Sequence, residues 1–164
     1  MRILLISNTF PPADLSGVGT LVAELAAELG RQGHEVDVLT RHAAGDPAAV
    51  GVRGPKLLFP LLAGARYLGL VRRAYDVVHV HESDGAGVAL ALRLARRLGR
   101  APGRPRLVLT LHVSYVAERR AVRAVRANGR VVSRPTPAER VFALLRAPLH
   151  AVLGRWTARL ARSF

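Results

Sequence analysis

Residues 3–40, ILLISNTFPPADLSGVGTLVAELAAELGRQGHEVDVLT, decide the fold. Ile3-Leu4-Leu5-Ile6 is an unbroken apolar run closed off by Asn8 and Pro11, the pattern of a strand buried on both faces. Leu21, Val22, Leu25, Ala26 and Leu29 then recur at helical spacing, with Gly30 and Gly33 as stop signals. Val36 to Thr40 reads as a second strand. Strand, helix and strand in this order predict a βαβ unit, hence a parallel sheet with a right-handed crossover.

Outward from that unit, Arg41 to Lys56 is rich in glycine, alanine and proline without a usable period, which predicts a loop. Leu57 to Ala74 is expected to be helical, broken near Pro60 or Gly64. Asp76 precedes a strand at Val77 to His81, Gly85 to Leu98 has helical spacing, and Gly99 stops it. The Pro/Gly linker 101–105 leads to a fourth strand, Leu107 to His112. The alternation predicts an α/β, Rossmann-like, three-layer domain with a parallel sheet, spanning 1–164 as one unit.

Its final third, 113–164, reads as a helical subregion. Ala117 to Ala127 places Ala121, Ala124 and Val125 on one helix face and Arg119, Arg123 and Arg126 on the other, with Asn128-Gly129 as a stop. Thr136-Pro137-Ala138-Glu139 is a capping-box helix start. That helix is expected to run to about Ala147, break or kink at Pro148 and resume through Trp156.

Composition narrows the classes of function. Half of the 164 residues are hydrophobic and 22% charged, which predicts a folded chain. Cysteine is absent, removing disulfides, thiolate metal sites and a cysteine nucleophile, and fitting a reducing, cytoplasmic compartment. No signal peptide is expected, since Ile3 to Ile6 is far too short an apolar core. Leu57 to Val71 is interrupted by Pro60 and Arg66 before the roughly 20 residues a spanning helix needs. Residues 1–92 carry 8 Lys+Arg against 9 Asp+Glu, whereas 93–164 carry 17 against 2. The second half therefore presents a surface suited to anions, either an anionic membrane or an ordinary solvated face. Nucleic acid is disfavoured as a partner, because aromatics are 5% of the chain and do not interleave with the arginines.

Ligands of open parallel sheets collect beyond the carboxyl ends of the strands, here Ser7-Asn8, Thr40-Arg41, His81-Glu82 and Thr110 to His112. Asn8, His81 and Glu82 are therefore expected to line a cleft. Ser16-Gly17-Val18-Gly19 can offer backbone N–H groups to a phosphate, or be simply a glycine-eased helix start. It is no dinucleotide fingerprint, since about ten residues separate it from its strand and the second strand ends in Thr40-Arg41 rather than an acid. His79 and His81 share one strand face beside Glu82, but without a third ligand at familiar spacing no metal is expected. His79 is expected to pack under a helix. Ser83 and Asp84 are expected to cap the following helix. His112 can donate to a sugar hydroxyl or stabilise developing charge, and is the candidate catalytic residue; an exposed or capping role is its alternative.

MRILLISNTFPP, SGVGTLVAELAAELGRQGHEVDVLT, YDVVHVHES and LVLTLH, in that order, resemble the N-terminal domain of the GT-B glycosyltransferases, specifically the retaining family 4. The resemblance implies the acceptor-side half of a two-domain enzyme that moves a sugar from a nucleotide-sugar donor, used as substrate, to a glycan or lipid-linked acceptor. It implies no permanently bound cofactor and no required metal. It carries donor-phosphate contacts to Ser16 and Gly17, although Ser16 replaces the family's first glycine; the helix-start reading adds the Val18 N–H to the same phosphate site. It also carries an approach to the transferred sugar to His112. The family pattern further implies a C-terminal donor domain, in cis or in trans, without which little transfer is expected. Peripheral attachment at the inner face of the membrane, as in bacterial-type glycan biosynthesis, would give Arg119, Arg123 and Arg126 a role. The alternative expectation is a stand-alone Rossmann-like nucleotide-binding or interaction module without transferase activity.

Overall fold

The computed structural model describes residues 1–42, 48–100, 103–112, 116–117 and 136–161. Strands β1 (Arg2–Ile6), β2 (Glu35–Thr40), β3 (Ala49–Gly51), β4 (Val77–His81) and β5 (Arg106–Thr110) form one parallel sheet in the order β3-β2-β1-β4-β5. Strand order reverses between β1 and β4, so those two strands flank the topological switch point.

Both faces of β1 are covered, which is why its apolar run does not alternate with polar residues. Ile3 and Leu5 join Phe10, Val38 and Val22, the last on helix α1 (Gly17–Arg31). Leu4 and Ile6 join the larger cluster built with α2 (Phe59–Leu70) and α3 (Ala86–Arg97), including Phe59, Tyr67 and Leu92. Each such fully buried side chain contributes about 1.5–3 kcal/mol relative to exposure. Burial pushes the Tyr67 phenol up to about 12, so it stays neutral in this core.

Helices α2 and α3 approach each other through glycine. A Cβ on Gly64 would lie 2.6 Å from the Gly87 carbonyl oxygen, and one on Gly87 would overlap the carbonyl oxygen of Pro60. Of the break expected near Pro60 or Gly64, the structure shows a change just before Pro60, where a 3-10 turn, Lys56–Leu58, gives way to α2, and none at Gly64. Pro60 occupies the first turn, where its missing N–H has no partner to lose, and Gly64 serves the close approach instead. A second departure is β3, inside the segment expected to be a loop. Its three residues pair only with distant Val38, Leu39 and Thr40, so no local period marks them as a strand. Gly30 lies within α1, and the chain turns at Gly33, whose φ of 81° suits glycine.

The capping box at Thr136 opens helix α4 (Pro137–Val141). It leads through a π-type turn, Phe142–Arg146, into α5 (Ala147–Ala161). Pro148 does not break this helix as expected. The irregularity lies one turn earlier, where the proline ring and missing N–H would disturb an α-helical bond to residue 144. Leu160 of α5 packs into the larger core cluster. The predicted helix at 117–127, with Arg119, Arg123 and Arg126, lies outside the described residues.

The amino end of the sheet is closed by paired polar groups. The Arg2 guanidinium meets Glu35 Oε2 at 2.7 Å, and the Arg2 backbone N–H donates to Asp76 Oδ2 at 2.7 Å. Asp37 Oδ2 accepts from Arg73 Nη1 at 2.8 Å and from the Tyr75 hydroxyl at 2.6 Å. Burial, reinforced by the hydrogen bond to Asp37, pushes the Tyr75 phenol well above its ordinary value.

Candidate functional site at the carboxyl ends of the strands

Beyond β1 the chain stays buried through Ser7, Asn8 and Thr9. The Ser7 hydroxyl donates to the Thr9 carbonyl at 2.8 Å, curling the backbone so that Asn8 N–H points to Asp84 Oδ2, 3.0 Å away. Asn8 Oδ1 is buried and has no partner among the described residues. The loop then reaches α1, where Ser16 is the N-cap and its Oγ accepts from Gly19 N–H at 3.1 Å. Ser16 thus spends its hydroxyl on the helix. The first-turn amides of Gly17 and Val18 remain at the helix end, with open space around Gly17. The glycine required by packing is Gly19, whose Cβ would lie 3.0 Å from the Asp14 carbonyl oxygen.

Beyond β4 the backbone turns at Glu82, which has φ of 63°, the left-handed region that costs a residue with a Cβ roughly 1–3 kcal/mol. Consecutive strand side chains normally alternate between faces; this turn lets His81 and Glu82 reach the same neighbour. Glu82 Oε1 accepts from His112 N–H at 2.9 Å, and His81 Nδ1 lies 2.9 Å from His112 Nε2. Glu82 Oε2 and His81 Nε2 are buried without a partner among the described residues.

Three histidines line up here. His79 stacks on His81 with ring centroids 4.3 Å apart, and His79 Nε2 lies 2.8 Å from the Thr110 hydroxyl. His81 is 1% exposed, and burial, with the neighbouring imidazoles, holds it down to about 3, so it is neutral at physiological pH. Burial lowers His79 as well. His79 is thus half-buried and tied across to β5 through Thr110. His112 lies two residues past β5, which ends at Thr110 rather than at His112 as expected. Among the described residues no group of three or more His, Cys, Asp or Glu is arranged to hold a metal ion.

The geometry gathers Asn8, His81, Glu82 and His112 at the ends of β1, β4 and β5, on the two sides of the switch point. The family model for Glycosyltransferase Family 4 matches residues 15–163. The chain belongs to glycosyltransferase family 4. No curated protein matches it significantly.

Two groups of this glycosyltransferase domain were not expected at the site. Asp84, taken from sequence for a helix cap, does not cap α3; Gly85 takes that position without a side-chain bond. Its carboxyl instead fastens the loop after β1 to the turn after β4, and burial pushes it up to about 6. His150 on α5 feels the charges of Glu82, Arg146 and Lys56, and burial lowers its pKa. The only sequence signal for it is the capping box that starts its helical segment. Among the described residues no helix is long and apolar enough to cross a membrane.

Proposed function

We propose that this chain is the acceptor-side half of a retaining glycosyltransferase, moving a sugar from a nucleotide-sugar donor to a glycan or lipid-linked acceptor. The observation that carries this reading is the set of buried polar atoms at the strand ends without partners among the described residues: Asn8 Oδ1, His81 Nε2 and Glu82 Oε2. A buried group left unpaired costs about 1–3 kcal/mol, so its persistence favours a hydroxyl-rich ligand that completes it.

In this reading the donor phosphates approach the Gly17 and Val18 amides at the positive end of α1, while Ser16 holds that end in shape. His112 donates to the transferred sugar. The bond from the anomeric carbon to the phosphate oxygen breaks, and the acceptor oxygen bonds to that carbon on the same face. The acceptor's proton leaves with the nucleoside diphosphate. A donor-side domain, in the same chain or supplied as a separate one, closes the cleft.

Peripheral attachment at the cytoplasmic face of a membrane goes with this reading. It is supported by the outer face of α5, where Leu149, Val152 and Trp156 are exposed alongside Arg155 and Arg159, with Arg146 exposed in the turn before it.

Sugar transfer, measured with a donor-side domain present, tests the reading. His112→Ala is expected to lower the rate by a factor of about 100 or more while the chain remains folded. Wild-type transfer by that variant would take His112 out of the site.

A further inference from the structure

We propose that His81 is a positioning residue for His112: its Nδ1–H donates to His112 Nε2 and so fixes His112 in the tautomer that carries its proton on Nδ1. The structural basis is independent of the activity; its catalytic meaning rests on the role given to His112 above.

The two rings are nearly parallel, 5° apart, with centroids 5.2 Å apart and the facing nitrogens 2.9 Å apart. That centroid separation equals the N···N distance plus the two ring radii. The rings therefore lie edge to edge in a common plane rather than face to face, and the hydrogen bond runs along their lone-pair direction. Each neutral imidazole has one donor and one acceptor nitrogen, so the pair has two states. In one, His81 Nδ1–H donates, His81 Nε2 is a bare acceptor and His112 presents Nδ1–H. In the other, His112 Nε2–H donates, His112 presents a bare Nδ1 and His81 carries a proton on Nε2.

Burial separates the two states. His81 Nε2 is buried without a partner, and orphaned buried N–H donors are rarer than under-satisfied acceptors. The second state would create such an N–H; the first leaves only a lone pair. Because His81 is buried and neutral, its own imidazolium form does not compete. The ring is also held in place, stacked on His79, which is itself hydrogen-bonded to Thr110. Glu82 Oε1 fixes the His112 backbone while His81 fixes its ring. The left-handed turn at Glu82 is what lets both act on one residue.

Long-range proton–nitrogen NMR spectra of the 15N-labelled full chain read the tautomer of each histidine directly. Wild-type His112 is expected with a protonated Nδ1 and a pyridine-type Nε2, the form that a free imidazole side chain disfavours. His81→Phe is expected to shift His112 to the Nε2–H form, with the backbone amide spectrum of β1 and β2 unchanged. His81→Asn, whose carboxamide N–H stands where Nδ1–H stood, is expected to keep the Nδ1–H form. A wild-type His112 protonated on Nε2 would overturn the proposal, even if His81→Phe failed to fold. So would an unchanged His112 tautomer in folded His81→Phe, or its loss in His81→Asn. In transfer assays, kcat is expected to fall in His81→Phe with KM held, and to recover in His81→Asn; equal loss in both would count against the proposal. If His112→Ala transfers normally while the tautomer pattern is as expected, the functional reading falls and the positioning role of His81 stands.

Discussion

The two ends of the sheet are both polar, yet they treat their polar groups in opposite ways. At the amino end Arg2, Glu35, Asp37, Arg73, Tyr75 and Asp76 are joined in hydrogen bonds and ion pairs. At the carboxyl end Asn8 Oδ1, Thr40 Oγ1, His81 Nε2 and Glu82 Oε2 are buried without partners among the described residues, and Glu82 adopts a left-handed backbone. The amino end uses polarity to close the fold. The carboxyl end carries free-energy costs that nothing in the described chain offsets, which is what the proposed ligand site requires. An exposed pair such as Arg2–Glu35 contributes at most about 1 kcal/mol, so the contrast lies in satisfaction rather than in the strength of any one bond.

Variants at the two ends should therefore fail differently. The largest effect is expected where the scaffold holding the carboxyl end is disturbed. Gly87→Ala would drive a methyl into the Pro60 carbonyl and separate α2 from α3, lowering stability by about 3 kcal/mol, read as a shift in the urea midpoint. An unshifted midpoint would mean that the two helices do not pack backbone to backbone.

Asp84→Asn comes next. The folded pKa of Asp84 is raised to about 6 from 3.8, so the folded state binds this proton more tightly than the unfolded state. Its stabilising contribution is full below about pH 4 and is lost as pH rises through about 6. The stability difference between wild type and Asp84→Asn should move by on the order of 2 kcal/mol across that window, in favour of Asn at the higher pH. Taking the difference removes the opposite contribution of His79 and His81, whose lowered pKa values make them stabilising above the ordinary histidine range.

Tyr75→Phe, at the amino end, loses a hydrogen bond to an ionised Asp37 and should cost about 1.5 kcal/mol in thermal or urea unfolding, with sugar transfer untouched. The smallest stability effect is expected for Asn8→Ala, less than about 1 kcal/mol, because the Oδ1 it removes has no partner. Transfer should nonetheless fall in that variant. If Asn8→Ala destabilised the chain more than Tyr75→Phe while leaving transfer intact, the contrast between the ends would be reversed.

The first βαβ unit was legible because its information is local: an apolar run, a 3.6-residue period and a stop glycine. β3 was not, since Ala49, Val50 and Gly51 become a strand only by pairing with β2. At the site, the positions of Asn8, His81 and Glu82 followed from the rule that ligands gather at strand carboxyl ends. Their connections did not follow. The bonds from His81 and Glu82 to His112 depend on a positive φ at Glu82, and a glutamate there carries no sequence signal for it. Asp84 was misassigned because an acid before a helix ordinarily caps it, whereas here it is drawn to Asn8, 76 residues away.

The central claim is that the carboxyl end, and not the amino end, receives the substrates. Amide shifts of the 15N-labelled chain, with an unlabelled donor-side domain present, during titration with nucleotide sugars such as UDP-glucose and GDP-mannose test it most directly. Saturable shifts at Gly17, Val18, Glu82 and His112, with Arg2, Glu35 and Asp76 unmoved, are the predicted result. Shifts confined to Arg2, Glu35 and Asp76, or none at either end, would contradict it.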